Sequence, residues 1–255
     1  MELDEIADIL LSNKRVCDDE VQNKIHPSIA FRYNSVSLLI GARGVGKTYW
    51  LSRELIKLSY APGNRFTQVY YISDKAHDDT FEYAQKCINK NVEVVWVKTE
   101  NALKLIETLT VAKGKLCDKA WCEKNPDDAL LYRRSLNAEG SNGGSCIPHT
   151  LIVFDDSIGL FNKQTALAKK LFENRQSRIT YIIALQDVQG ISASMKANID
   201  CAVIWGGFPK HKWNILTYQL PNVDGMDWET YSELGKGDYM FVDFIGSTVQ
   251  IHYRE

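Results

Sequence analysis

LLIGARGVGKTYW (residues 38–50) runs from three apolar residues into a glycine-rich turn and on past Lys47-Thr48. It satisfies G-x-x-x-x-G-K-[ST] with Gly41, Gly46, Lys47 and Thr48 in the specified places. Each part has a physical task. The glycines let the backbone curl so that successive N–H groups point at one anion. A helix starting here aims the positive end of its dipole at the same anion. Lys47 would reach the β- and γ-phosphates, and the Thr48 hydroxyl is placed for Mg2+. With Ala42, Arg43, Gly44 and Val45 between the fixed positions, residues 41–48 form a candidate ATP-binding loop. The context fits. SVSLLI (35–40) reads as a buried strand, and KTYWLSRELIKLSY (47–60) as a helix with Leu51, Leu55 and Leu58 on one face.

Downstream, strands are expected at 68–73 (QVYYIS), 92–97 (VEVVWV), 150–156 (TLIVFDD), 179–187 (ITYIIALQD) and 201–207 (CAVIWGG). Helices are expected at 81–89, 100–114, 165–176 and near 192–198. Nearly continuous apolar strands alternating with helices indicate an α/β fold: a mainly parallel central sheet covered by helices on both faces. DYMFVDF and TVQIHYR, joined by IGS, read as a C-terminal β-hairpin over 238–254. Residues 115–148 break the rhythm with a charged helix candidate (127–139) and the turn GSNGGS (140–145), and read as a surface insertion. Residues 1–34 read as a leader with a short amphipathic helix from Glu5 to Leu11, and 35–255 as one ATPase domain.

LIVFDD ends in Asp155 and Asp156. Open α/β sheets place ligands at the C-terminal ends of their strands. Asp155 is therefore expected to hold Mg2+ together with Thr48, and Asp156 to position or deprotonate an attacking water. A carboxylate dedicated to water argues for hydrolysis over transfer to an alcohol. One strand later, Gln186 ends ITYIIALQ. A polar side chain there can hydrogen-bond the γ-phosphate or the water, although by itself the residue reads equally as an ordinary strand end.

At 255 residues, 45% hydrophobic and 24% charged, the chain can bury a full core. Its net charge of −2 excludes a global basic field, so nucleic-acid contact would be local or shared around a ring of subunits. No apolar run reaches the length of a membrane span, and the acidic start MELDEIADILLSNKR lacks a signal peptide's basic region. A soluble, cytosolic-type protein is expected. Its six cysteines (Cys17, Cys87, Cys117, Cys122, Cys146 and Cys201) then read as reduced thiols. Cys117, Cys122, Cys146 and His149 could alternatively supply a tetrahedral zinc site.

Several of these pieces together resemble the FtsK–HerA superfamily of P-loop ATPases, in particular the poxvirus-type genome-packaging ATPases of large DNA viruses. They are GARGVGKT, LIVFDD, the following strand ending in Gln186, Arg175 eleven residues before that glutamine, and SMKANIDCAVIW (194–205) with Lys196 and Asn198. The likeness spans roughly residues 35–207. It implies a RecA/FtsK-like core, ATP and Mg2+ as cofactors, a homo-oligomeric ring (hexamer or pentamer) and translocation of double-stranded DNA. It also implies a capsid or portal-like vertex protein as partner, and a location in the host cytoplasm, in a virus factory or on the virion. Asp156 departs from the pattern, since cellular members usually carry Glu there. Its shorter side chain sets the water differently. No counterpart of the cellular translocases' membrane-spanning region or C-terminal DNA-reading domain is expected from these residues, and a viral or mobile-element motor is expected accordingly.

In such rings a neighbour's guanidinium often completes the site. Arg175 is the first candidate by the family spacing, Arg178 the second, and Arg43, acting in cis, the third. Each also reads as a solvated surface charge. DNA contacts are expected from FPKHKWN (208–214), read as a loop in which Lys210 and Lys212 stand beside Trp213. The basic residues Lys113, Lys115, Lys119, Arg133 and Arg134 are the other source. The expectation is an ATP-hydrolysing motor that packages double-stranded DNA into a viral capsid. The alternatives are a P-loop kinase acting on a nucleoside or other small molecule, and a nucleotide-gated DNA- or protein-binding switch.

Overall fold

The structure, a computed structural model, describes residues 34–61, 66–75, 78–117, 119–135, 149–156, 165–171, 177–187, 195 and 198–254. The first half holds β1 (Val36–Ile40), α1 (Lys47–Tyr60), β2 (Phe66–Ile72), α2 (Asp79–Cys87), β3 (Glu93–Val97), α3 (Ala102–Cys117), α4 (Lys119–Lys124) and α5 (Pro126–Ser135). The second half holds β4 (His149–Asp155), α6 (Thr165–Lys170), β5 (Ile179–Leu185), β6 (Cys201–Trp205), α7 (Lys210–Gln219), α8 (Trp228–Ser232), β7 (Tyr239–Asp243) and β8 (Thr248–His252). The strands make one sheet in the order β3-β2-β4-β5-β1-β6-β7-β8. The pairs from β3 to β6 are parallel, and the C-terminal hairpin extends the sheet antiparallel to β6. This is the mainly parallel, helix-covered sheet that the strand pattern implied.

Every residue of β1, β2, β4, β5 and β6 is buried, as strands covered on both faces require. The two edge strands, β3 and β8, are only partly covered. Side chains alternate between two cores. Val36, Leu38 and Ile40 of β1 join Ile106 and Leu109 of α3 and Trp213 and Leu216 of α7. Leu39 points the other way, into Leu51, Leu55 and Leu58 of α1 and Phe81 of α2. Each such leucine contributes about 1.5–3 kcal/mol of burial. These contacts hold α1 against the sheet, and so hold the loop that precedes it.

Two stretches differ from the sequence expectation. Helix α3 runs on to Cys117 and is followed by α4, where no helix was expected, while α5 falls where the helix candidate at 127–139 was read. FPKHKWN is not a loop, because α7 begins at Lys210 with Pro209 as its N-cap. Lys210, His211 and Lys212 in a first turn oppose the helix dipole, so the local signal was poor. Burial of Trp213 and Leu216 outweighs it. The leader, with its expected helix at Glu5 to Leu11, lies outside the described residues, as do residues 136–148 and most of 188–197.

Candidate functional site

The strand order sets β5 between β4, which ends in Asp155, and β1, which leads into the glycine loop. Asp155 pairs with Ala184, and Ile40 with Leu185. The Gly41 N–H donates to the Leu185 carbonyl at 3.2 Å, which keeps the loop's start beside Gln186. Gly41 has no space for a side chain, since a Cβ there would lie 2.9 Å from Trp205 Cβ and Val45 Cγ2. Gly44 and Gly46 hold φ of 78° and 101°, which favour glycine. Gly46 is the N-cap of α1, and no side chain caps that terminus. The first N–H groups of α1 are thus available to an anion in the cleft.

Lys47 is 9% exposed, and its ammonium donates to the carbonyls of Gly41 (2.6 Å) and Ala42 (3.0 Å). Burial draws its pKa below the ordinary lysine value, while the charges of Asp155 and Asp156 pull it back up. Asp155 is 3% exposed. Its Oδ2 accepts from the Tyr71 hydroxyl at 2.6 Å and from Lys75 Nζ at 3.2 Å. Burial first, and then the charge of Asp155, push the Tyr71 hydroxyl well above the ordinary tyrosine range, so it remains a donor. Asp156 leaves the strand with φ of 58° and accepts a hydrogen bond from Gln186 Nε2. Arg43, Gly44, Gly46, Lys47, Thr48, Lys75, Asp78, Thr80, Asp155, Asp156 and Gln186 line one cleft of about 500 Å3. That size suits a small-molecule ligand. The Asp155 carboxylate and Thr48 hydroxyl both border it, and an all-oxygen donor set suits Mg2+.

The residues expected at the site therefore come together: the 41–48 loop, the aspartate pair and Gln186. Within the loop, Val45 faces the core and Arg43 is exposed on the cleft. Arg175 and Lys196 lie outside the described residues. Arg178 stands just before β5, at the end of that strand away from Gln186. Its carbonyl accepts from Thr150 N and Lys113 Nζ, both at 3.1 Å.

The expectation for Trp213 needs correction. It is 2% exposed and stacked on Tyr231 at a centroid distance of 4.1 Å, so its ring belongs to the core and is unavailable to a nucleic acid. Lys212 pairs with Asp187 at 3.0 Å, and Lys210 lies over the Trp228 ring. Of the zinc candidates, Cys146 and the Cys117 side chain lie outside the described residues. The Cys122 thiol donates to the carbonyls of Lys115 and Leu116. His149 is buried against Phe66.

Sequence reasoning missed Tyr71, Lys75, Asp78 and Thr80. Lys75, Asp78 and Thr80 line the cleft and Tyr71 lies beneath Asp155 because β2 pairs with β4, and that adjacency is tertiary. One local sign was present. Asp78 caps α2 by accepting from Phe81 N at 3.2 Å, an Asp-x-x pattern readable at a helix start.

The chain aligns with the genome-packaging NTPase B204 of Sulfolobus turreted icosahedral virus 2, solved with AMP, at TM-score 0.57 and 12% identity. The match covers 89% of this chain and 98% of that one. This chain shares the fold of B204. The same fold extends to the pCW3 conjugation coupling protein TcpA, solved with ATPγS (TM-score 0.51, 18% identity, 86% of this chain and 61% of that one). It also extends to the type VII secretion ATPase EccC of Thermomonospora curvata (TM-score 0.52, 16% identity, 82% of this chain and 24% of that one). The fold that the motifs implied is thus the fold of these solved structures. No protein-family model and no curated protein matches the sequence.

Proposed function

We propose that this chain is an ATP-hydrolysing motor that drives double-stranded DNA into a viral capsid as a homo-oligomeric ring. The observation that carries the reading is the Asp156–Gln186 pair in the cleft that also presents Lys47, Thr48 and Asp155. Residues 41–48 wrap the triphosphate, with Lys47 exchanging its loop carbonyls for the β- and γ-phosphates. Asp155 and Thr48 hold Mg2+, which neutralises phosphate charge when bound. Asp156 orients the attacking water and takes its proton, while Gln186 fixes Asp156 and registers loss of the γ-phosphate. A neighbour's Arg175 meets the charge that develops in the transition state. Lys210 and Lys212, at the start of α7, contact DNA phosphates. The fold shared with a genome-packaging NTPase, over almost all of that protein's length, supports this reading over a kinase.

The test is ATP turnover with and without long duplex DNA, for the wild type and Lys47→Ala. Turnover should rise with DNA. It should fall at least about 100-fold in Lys47→Ala with the circular dichroism spectrum unchanged. Turnover indifferent to DNA but yielding a phosphorylated nucleoside would reassign the chain as a kinase. A Lys47→Ala variant as fast as wild type would remove the loop from the site.

A further inference from the structure

The cleft holds a second lysine that no motif announces. Lys75 follows β2, and its Nζ lies 3.2 Å from Asp155 Oδ2 and 3.9 Å from Oδ2 of both Asp156 and Asp78. Three carboxylates thus surround one ammonium, and all four side chains line the cleft that Thr48 also lines.

Two donors share Asp155 Oδ2, and they differ in freedom. Tyr71 is fully buried and stacked on Phe81 at a centroid distance of 3.6 Å, so it cannot swing away. The Lys75 side chain is 40% exposed and can. When the ammonium departs, the Tyr71 hydroxyl still aims the carboxylate. Asp78 gives the ammonium a second partner, and Asp78 is itself fixed as the N-cap of α2.

We propose that Lys75 is an exchangeable counter-ion of the Asp155–Asp156 pair, neutralising it toward metal-free nucleotide and yielding Asp155 to Mg2+ by retreating to Asp78. The proposal rests on the ATP-site reading above. Its physical basis is charge. A triphosphate entering beside two carboxylates is repelled unless cations offset them, and the Lys75 ammonium at 3.2 Å adds to Lys47 in doing so. The ammonium at Asp155 Oδ2 repels a cation that approaches the same carboxylate, so Mg2+ binding drives Lys75 back toward Asp78. Linkage then requires Lys75 to raise metal-free affinity and to lower the cleft's affinity for Mg2+.

The experiment uses the full chain and binding alone. ATPγS is titrated calorimetrically in EDTA and across a Mg2+ series, for the wild type and for Lys75→Met, Lys75→Gln, Lys75→Arg and Lys47→Ala. Both neutral Lys75 variants should bind ATPγS about tenfold more weakly in EDTA, yet within about twofold of wild type at saturating Mg2+. Their half-saturating Mg2+ concentration should fall by about the same tenfold. Lys75→Arg should behave as wild type. Equal loss in EDTA and in Mg2+ would make Lys75 an ordinary phosphate ligand or a structural support, and no change in either would make it a solvated charge. Either result overturns the proposal. Lys47→Ala separates the two readings. Loss of ATPγS binding in both conditions upholds the nucleotide site whatever Lys75 does, whereas wild-type binding by Lys47→Ala would bring down the site itself. Thermal melts of the variants establish that each is folded when titrated.

Discussion

Asp155 and Asp156 are sequence neighbours in opposite surroundings, and the difference suits the work proposed for each. Asp155 ends β4, is 3% exposed, and receives hydrogen bonds from Tyr71 and Lys75. It can change little in position, as suits a group that holds a metal. Asp156 stands outside the strand with φ of 58°, is 32% exposed at its side chain, and is held by Gln186 from the next strand. It meets solvent, as suits a group that handles water. Asp156→Asn keeps an oxygen for Gln186 but removes the base. It should bind Mg·ATP normally and hydrolyse it at least about 100-fold more slowly. Asp155→Ala should weaken Mg2+-dependent binding itself by about tenfold or more, and should leave Tyr71 a buried hydroxyl without its acceptor. Calorimetric binding of ATPγS beside single-turnover hydrolysis distinguishes the two. Equal binding defects in both variants would contradict the division.

Helices α1 and α7 illustrate, at the scale of elements, what a sequence can reveal and what it cannot. The leucines of α1 repeat at helical spacing behind a glycine N-cap, and its bounds of 47–60 were readable residue by residue. Strands β4 and β5 were equally plain, because apolar runs ending in Asp-Asp and Gln mark buried strands that surface at a cleft. α7 carries cations in its first turn and only two buried residues, so its local signal is weak and the fold supplies the rest. Tyr71 and Lys75 were hidden for a related reason. Nothing within QVYYISDK tells which strand will lie beside it, and their role depends on β2 pairing with β4. The corrected reading of α7 has a measurable consequence. Trp213→Ala should cost about 3–5 kcal/mol of stability, seen as a lowered melting temperature. The double variant Lys210→Ala/Lys212→Ala should stay within about 1 kcal/mol of wild type, since its one ion pair is a third exposed. If these lysines meet DNA, the double variant should lose DNA stimulation of turnover while keeping its basal rate. Unaltered stimulation would move the DNA contact elsewhere.

For the whole molecule, the sheet's polarity decides how a finger could reach the cleft. Arg178 stands before β5 and Gln186 after it, eight residues on, and the strand separates them by about 26 Å. Arg175 lies outside the described residues, three positions before Arg178, and the family spacing makes it the finger candidate. If its guanidinium serves another subunit's cleft, it takes no part in holding nucleotide in its own. Arg175→Ala should therefore bind ATPγS as wild type does and hydrolyse ATP about 1,000-fold more slowly, the lower end of what such a finger supplies. Mixing then tests the geometry. An Arg175→Ala subunit keeps an intact cleft, and a Lys47→Ala subunit keeps an intact finger. A ring assembled from both contains interfaces that pair a good cleft with a good finger, so turnover should reappear although each pure variant is inactive. The yield should peak at intermediate ratios, because it requires unlike neighbours. A finger acting in cis permits no rescue at any ratio. Co-elution of differently tagged subunits in ATPγS and Mg2+ must first establish that they exchange. Failure of rescue in rings so proven would shift the role to Arg43, which lines the cleft from within the same chain, and would remove the main reason to regard the ring as the active form.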